Sequence, residues 1–159
     1  MKKLSLILLF SVLFIACKST STVTNNKLDN KKERLIKGDW SISSIDYAGS
    51  DYLKVTSFNI EDSKCFVGST WNFISNNNKG EMKLTNSSSK CKDFSSPITW
   101  FINKDDQFVL KIINDYKAKE QTQGFILDIK NINETSFQLI DKLNVAGQIT
   151  NITYTFQKQ

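Results

Sequence analysis

The sequence predicts an all-β domain, an antiparallel up-and-down meander of about eight strands closed into a barrel, behind an N-terminal leader and tether. From Ile36 onward apolar and polar residues alternate in short runs such as Trp71-Asn72-Phe73, and a period of two indicates strands. Turn segments rich in Asn, Asp and Gly separate the runs, at 76–80, 103–106, 131–134 and 144–147. Connections this short exclude the crossovers that parallel strands need, and barrel closure removes two exposed sheet edges.

The alternation also predicts which side chains face the barrel interior. We expect these to point inward: Trp71, Phe73, Trp100, Phe125, Leu127, Ile152, Tyr154 and Phe156. We expect Asn72, Thr99, Asp128 and Thr153 to point outward, and a slip of one residue in register would exchange the two sets. The segment 52–66 is assigned no strand and has room for a short helix near Asp62.

Residues 1–16 have the layout of a lipoprotein signal peptide. Lys2 and Lys3 precede an apolar stretch, 4–16, that is shorter than the roughly 20 residues needed to span a bilayer as a helix. Its end, Phe14-Ile15-Ala16-Cys17, resembles a lipobox, so we expect cleavage before Cys17 and acylation of that cysteine, with palmitate among the chains. Two or three chains, at about 0.8 kcal/mol per buried methylene, would anchor the protein to a membrane. The alternative is an ordinary signal peptide with a chance cysteine at its border.

The net charge of +5 belongs to the leader and to a predicted tether. Residues 17–34 comprise the lipidated cysteine and a polar segment without aromatic residues, which we expect to be disordered. The predicted barrel domain, 35–159, holds 14 lysines and 14 acidic residues and is therefore neutral. This balance argues against a nucleic-acid partner. The positive tether could touch anionic headgroups, but a solvated linker is the preferred interpretation.

The three cysteines predict one disulfide bond. Acylation of Cys17 leaves Cys65 and Cys91, and an exported protein meets an oxidising compartment that favours their pairing. The bond would tie the approach to one hairpin strand to the exit from its partner. Two thiols in a chain without histidine are a poor metal site, so no metal is predicted.

The segment Gly38-Asp39-Trp40 resembles the Gly-x-Trp motif with which lipocalins open, where the Trp plugs the closed end of the barrel. The stretch 35–159 looks like the lipocalin-like lipoproteins of Bacteroidota, and the likeness is carried by 65–71, 76–80, 98–100, 136–141 and 154–156. Lipocalins proper pack an arginine of the last strand across this Trp. The domain contains no arginine, so Lys158 is the expected cationic neighbour.

This resemblance implies a monomer in the cell envelope, lipid-anchored to the outer membrane. We expect the periplasmic face, because the residues after Cys17 lack the acidic cluster that resembles a surface-export signal.

The sequence predicts a binding or structural protein with no cofactor rather than an enzyme. Histidine, the commonest acid–base residue, is absent, and the paired acids Asp105-Asp106 and Glu61-Asp62 lie in hydrophilic, turn-like contexts. The remaining functional candidate is the barrel interior. Its candidate pocket residues are Trp71, Phe73, Trp100, Phe125, Leu127, Tyr154 and Phe156, with Phe108, Leu110 and Phe137 as further lining.

Two functional hypotheses remain open. The barrel could hold a small hydrophobic or lipid-like ligand, or its side chains could fill it as an ordinary core. In the second case the protein would be a structural or interaction lipoprotein whose surface meets an envelope protein. A cavity of about 300 Å³ or more would favour the ligand.

Overall fold

The computed structural model describes residues 31–47, 54–85, 90–114, 124–145 and 147–159. The predicted signal peptide, Cys17 and the tether up to residue 30 lie outside these ranges. The described helices are α1 (Lys31–Ile36) and a single-turn 3₁₀ helix (Ser63–Phe66). The strands are β1 (Gly38–Tyr47), β2 (Thr56–Ser57), β3 (Glu61–Asp62), β4 (Thr70–Ile74), β5 (Lys79–Leu84), β6 (Phe94–Ile102), β7 (Gln107–Ile112), β8 (Phe125–Lys130), β9 (Ser136–Val145) and β10 (Gln148–Lys158).

Eight of these strands form a closed antiparallel barrel. The order around it is β1-β10-β9-β8-β7-β6-β5-β4, and β1 pairs with both β10 and β4. Trp40 lies opposite Lys158 at one end of the β1–β10 ladder, and Tyr47 lies opposite Ile152 at the other. The predicted eight-stranded up-and-down barrel is confirmed. Among the described residues, the short strands β2 and β3 pair with each other alone and form a separate hairpin.

The predicted inward face is the buried face of the barrel. Seven of the eight residues expected to point inward are at most 2% exposed, whereas Phe125 is half-buried. Of the residues expected to point outward, Asn72 donates a hydrogen bond to Asp39 and Asp128 forms an ion pair with Lys142, both on the solvent side. The register therefore follows the hydrophobic pattern of the sequence.

Helix α1 covers the end of the barrel where β1 starts, which we call the base. The Ile36 side chain is fully buried there, and the Glu33 carboxylate accepts a hydrogen bond from the backbone N–H of Ile102 (3.1 Å). Lys32 forms an ion pair with Asp106 in a turn at the same end (2.9 Å). The prediction of disorder over 17–34 is therefore wrong for 31–34, because these residues bind the turns of the base. The first contact with the barrel comes before the predicted boundary at residue 35.

The opposite end of the barrel, which we call the mouth, receives the long connection from β1 to β4. That connection carries the β2–β3 hairpin and then the 3₁₀ helix, whose first turn is capped by Asp62 accepting from the Lys64 N–H (2.9 Å). The short helix expected near Asp62 is confirmed. The hairpin before it was not predicted.

Cys65 of the 3₁₀ helix is bonded to Cys91, with Cα atoms 5.6 Å apart, so the predicted disulfide is confirmed. The bond joins the segment leading into β4 to the connection that leaves β5. It therefore holds the 3₁₀ helix at the mouth against the connection that follows β5. No helix in the described ranges is long and apolar enough to cross a membrane.

Replacing both cysteines, Cys65→Ser with Cys91→Ser, should lower the free energy of unfolding by about 3.5 kcal/mol. The estimate comes from the entropy of closing a loop with a sequence separation of 26 residues. Urea unfolding followed by tryptophan fluorescence measures it, and an unchanged far-ultraviolet circular dichroism spectrum is the control. An unfolding midpoint equal to that of the wild type would contradict a stabilising role for this bond.

Candidate functional site

The base of the barrel is closed by Trp40. Its indole N–H donates to the backbone carbonyl of Ile36 (2.6 Å), and its ring meets the edge of Phe137 at 4.7 Å between centroids. The Lys158 ammonium lies 5.4 Å from the Trp40 ring centroid, as predicted. Gly38 has φ +120, a conformation that side chains rarely adopt, and this explains the glycine of the Gly-x-Trp segment.

Above Trp40 the lower half of the barrel is filled by aromatic rings. Phe73 lies near its centre, and the Phe137 and Phe156 rings stack at 4.5 Å. The rings within 6.3 Å of Phe73 are those of Trp71, Trp100, Phe108, Phe137 and Phe156. Of the pocket candidates, Phe73, Trp100 and Phe156 therefore belong to the packed core, and Leu127, paired with Phe108, is also fully buried.

The other three pocket candidates surround Phe58, a residue of the β2–β3 hairpin at the mouth, and Trp71 among them also contacts Phe73 below. Centroid distances from the Phe58 ring are 6.0 Å to Trp71, 5.2 Å to Phe125 and 5.1 Å to Tyr154. A fourth ring, that of Phe66 in the 3₁₀ helix, lies at 5.3 Å. Phe58 is 5% exposed although it belongs to a connection, so the hairpin inserts its tip into the barrel.

Sequence reasoning missed Phe58. The available signal was a single large apolar residue between Ser57 and Asn59 in a segment without strand alternation.

A chain of buried hydroxyls holds the hairpin in the mouth. Ser63 donates to the backbone carbonyl of Val55 (2.6 Å), and Ser57 donates to the Ser63 hydroxyl (2.7 Å). Because the single Ser57 proton is used in this way, the Tyr154 hydroxyl, 2.6 Å away, donates to Ser57. Burial raises the pKa of Tyr154 above its usual range, so the phenol stays neutral and keeps its proton. Each hydroxyl is polarised by the next, which strengthens the chain.

The tip of the hairpin has an unfavourable backbone conformation. Phe58 and Asn59 are consecutive residues of the turn with φ of 53 and 57, and Ile60 closes it by donating to the Ser57 carbonyl. Turns with two positive φ values favour Asn and Gly, and a bulky ring at the first position is unfavourable. The burial of the Phe58 ring compensates for that cost.

One carboxyl group faces the interior at the mouth. Asp141 follows the buried Phe137 and Leu139 at alternate positions of β9, so it shares their inward face, and it is 7% exposed. Burial raises the pKa of this carboxyl, and a hydrogen bond with the Lys142 backbone opposes that rise. The charged form of Asp141 also disfavours ionisation of Tyr154.

The outer side of the hairpin borders an open groove. The groove has a volume of about 580 Å³, and its wall includes Thr56, Glu61 and the Cys65–Cys91 bond. The described part of the chain has no cluster of three potential metal ligands from His, Cys, Asp and Glu. In the described residues the mouth half of the barrel interior is therefore filled by aromatic rings around Phe58, together with one hydroxyl chain and the Asp141 carboxyl.

Together these features define a class of protein, a small up-and-down barrel that is closed at its base and plugged at its mouth by its own hairpin. The lipocalin-like domain matches residues 36–139, and the chain belongs to this family.

Solved structures with a similar fold include bovine odorant-binding protein in complex with a selenium-containing odorant, which is 14% identical with a TM-score of 0.46. That match covers 79% of this chain and 71% of the other. A dog lipocalin allergen is 14% identical with a TM-score of 0.43, covering 77% of this chain and 72% of its own. No curated protein sequence matches this chain.

Replacing Asp141 by asparagine should stabilise the protein at neutral pH and have a smaller effect in acid. Because the folded-state pKa is raised above the ordinary 3.8, the folded protein holds this proton more tightly than the unfolded chain. The corresponding stability is fully present below pH 3.8 and is lost as the pH rises through the folded-state pKa. Urea unfolding of wild type and variant, at neutral pH and again below pH 3.8, measures the difference in the free energy of unfolding. Asp105→Asn, in an exposed turn, is the control for net charge, and equal gains from both variants would argue against an effect of burial.

Proposed function

We propose that this lipocalin-like protein binds a small apolar ligand in the mouth half of its barrel. The observation that carries the proposal is the position of Phe58, because its ring belongs to a separate hairpin and fills the space between the barrel residues Trp71, Phe125 and Tyr154. Rings around a central site, with a few polar groups, are typical of small-molecule pockets. The proposed role is one of binding.

A structural or interaction role is the second candidate. It is favoured by the base, where the rings around Phe73 pack against one another and leave Phe73, Trp100 and Phe156 at most 1% exposed. In that case the hairpin completes a solid core, and the outer surface would meet another protein of the envelope.

We further propose that the barrel is attached to a membrane through acylated Cys17. The support is the order of charged start, apolar stretch, small residue and cysteine in the sequence. On this proposal the protein is a monomeric lipoprotein of the Bacteroidota type, anchored to the periplasmic face of the outer membrane.

Purified protein should retain an apolar molecule that native mass spectrometry detects as an added mass and solvent extraction releases. The expected mass is that of a small ligand, since the space between Trp71, Phe125 and Tyr154 accommodates one aromatic ring. Denatured and refolded protein, stripped of ligand, is the control. Protein that carries no added mass and regains none when incubated with an envelope lipid extract would favour the solid-core alternative.

Substituting Cys17→Ala should release the protein from the membrane fraction, because the acylated thiol supplies the anchor. Cell fractionation followed by immunoblotting measures the distribution. Ser21→Ala serves as the matched control, since it changes the predicted tether without touching the lipobox or the disulfide. Tight membrane association of the Cys17 variant would refute the anchor, and removal of the wild type by protease added to intact cells would refute the periplasmic face.

A further inference from the structure

We propose that Ser57 and Phe58 occupy the ligand site of the barrel, and that a neutral aromatic molecule with a hydrogen-bond acceptor oxygen displaces them. This inference rests on the proposed function and specifies where the ligand sits and what its chemistry is.

The hairpin can leave the barrel interior without separating any of the barrel strands. Within the described residues the backbone ladder of β2 pairs with β3 alone, so withdrawing their tip breaks the Ser57–Tyr154 side-chain bond but no barrel ladder bond. The root of the hairpin stays fixed, because Cys65 is bonded to Cys91 and the Gly68 N–H donates to the Ile42 carbonyl (2.8 Å). The outer side of the hairpin borders the 580 Å³ groove, which gives it room to swing. The tip is therefore a plug on a fixed hinge.

The conformation of Phe58 indicates that the plug is held by its ring. A phenylalanine with φ 53 followed by Asn59 with φ 57 is an unfavourable start for a tight turn. Contacts with four surrounding rings compensate while the plug is inserted. A ligand ring in the same place would take over those contacts and let the turn relax. The closed state is thus poised for exchange with a ligand of similar shape.

The groups that Ser57 and Phe58 contact define the ligand. Phe58 stacks on Tyr154 and meets three other rings edge-on, so the preferred occupant is an aromatic ring. Withdrawal of Ser57 leaves the Tyr154 hydroxyl as a buried donor without a partner, which is costly unless the ligand brings an acceptor oxygen.

The Asp141 carboxyl on the same inward face disfavours a ligand with an anionic head. An aromatic ketone, aldehyde, ester or alcohol fits these conditions, and a fatty-acid carboxylate does not.

The test uses two naphthalene probes whose fluorescence rises in apolar surroundings. Prodan is a neutral aryl ketone, and anilinonaphthalene sulfonate is an anion of similar ring size. The folded wild-type chain should bind prodan with a Kd at least tenfold lower than that of the sulfonate. In Phe58→Ala the Kd for prodan should fall about tenfold further, because binding no longer competes with the plug. Phe101→Ala removes an exposed ring from the outer barrel surface and should leave both Kd values unchanged.

Hydrogen exchange gives a second readout on the wild type, which holds even if Phe58→Ala fails to fold. Prodan should increase exchange at residues 55–63, because the withdrawn hairpin loses its packing against the barrel and its internal hydrogen bonds, such as those of the Ile60 and Ser63 amides, open more often in solvent. An ordinary ligand that packs against the hairpin would decrease exchange there.

The outcomes separate the plug from the proposed function. Tighter prodan binding by Phe58→Ala together with faster exchange at 55–63 supports the plug. Prodan binding that Phe58→Ala leaves unchanged, or protection of 55–63, overturns the plug while barrel binding stands. Equal affinity for the sulfonate overturns the ligand class. Absence of prodan binding by wild type and variant overturns this inference, whereas the proposed function falls only if the purified protein neither carries nor takes up an apolar molecule.

Discussion

The pairing of β1 with β10 is the constraint on which the rest of the structure depends. It joins the two ends of a meander, so every barrel strand has two neighbours and each strand has one face inside and one outside. That closure places Lys158 beside Trp40 at the base and Tyr154 opposite Ile45 towards the mouth. The same ladder therefore helps to position both Trp40, which closes the base, and the Tyr154 hydroxyl, which donates a hydrogen bond at the mouth.

Most of the barrel could be predicted from the sequence, because local alternation determines which residues of a strand face inward. Trp71, Phe73 and Tyr154 were assigned to the interior from period two alone, and the closed sheet buries them. The disulfide followed from cysteine number and compartment. These inferences need no knowledge of which strands are neighbours in space.

The parts that escaped prediction depend on contacts between distant residues. Ser57 and Tyr154 are 97 positions apart, and Glu33 reaches Ile102 across 69 positions, so neither segment reveals its partner locally. β2 and β3 have two residues each, too few for alternation to be visible. The helical turn at 31–36 is polar on most sides, and only its fit to the base makes it ordered.

The docking of α1 has a mechanical consequence. Lys31, the first described residue, lies at the base, so tension on the proposed N-terminal anchor would act first on the contacts of Lys32, Glu33 and Ile36. Those contacts cross to turns that join β4 to β5 and β6 to β7, which spreads the force over several strands. The β2–β3 hairpin, at the opposite end, takes no part in these contacts. With the proposed anchor, a pull from the membrane would therefore act on the base of the barrel, at the end opposite the hairpin that fills the mouth.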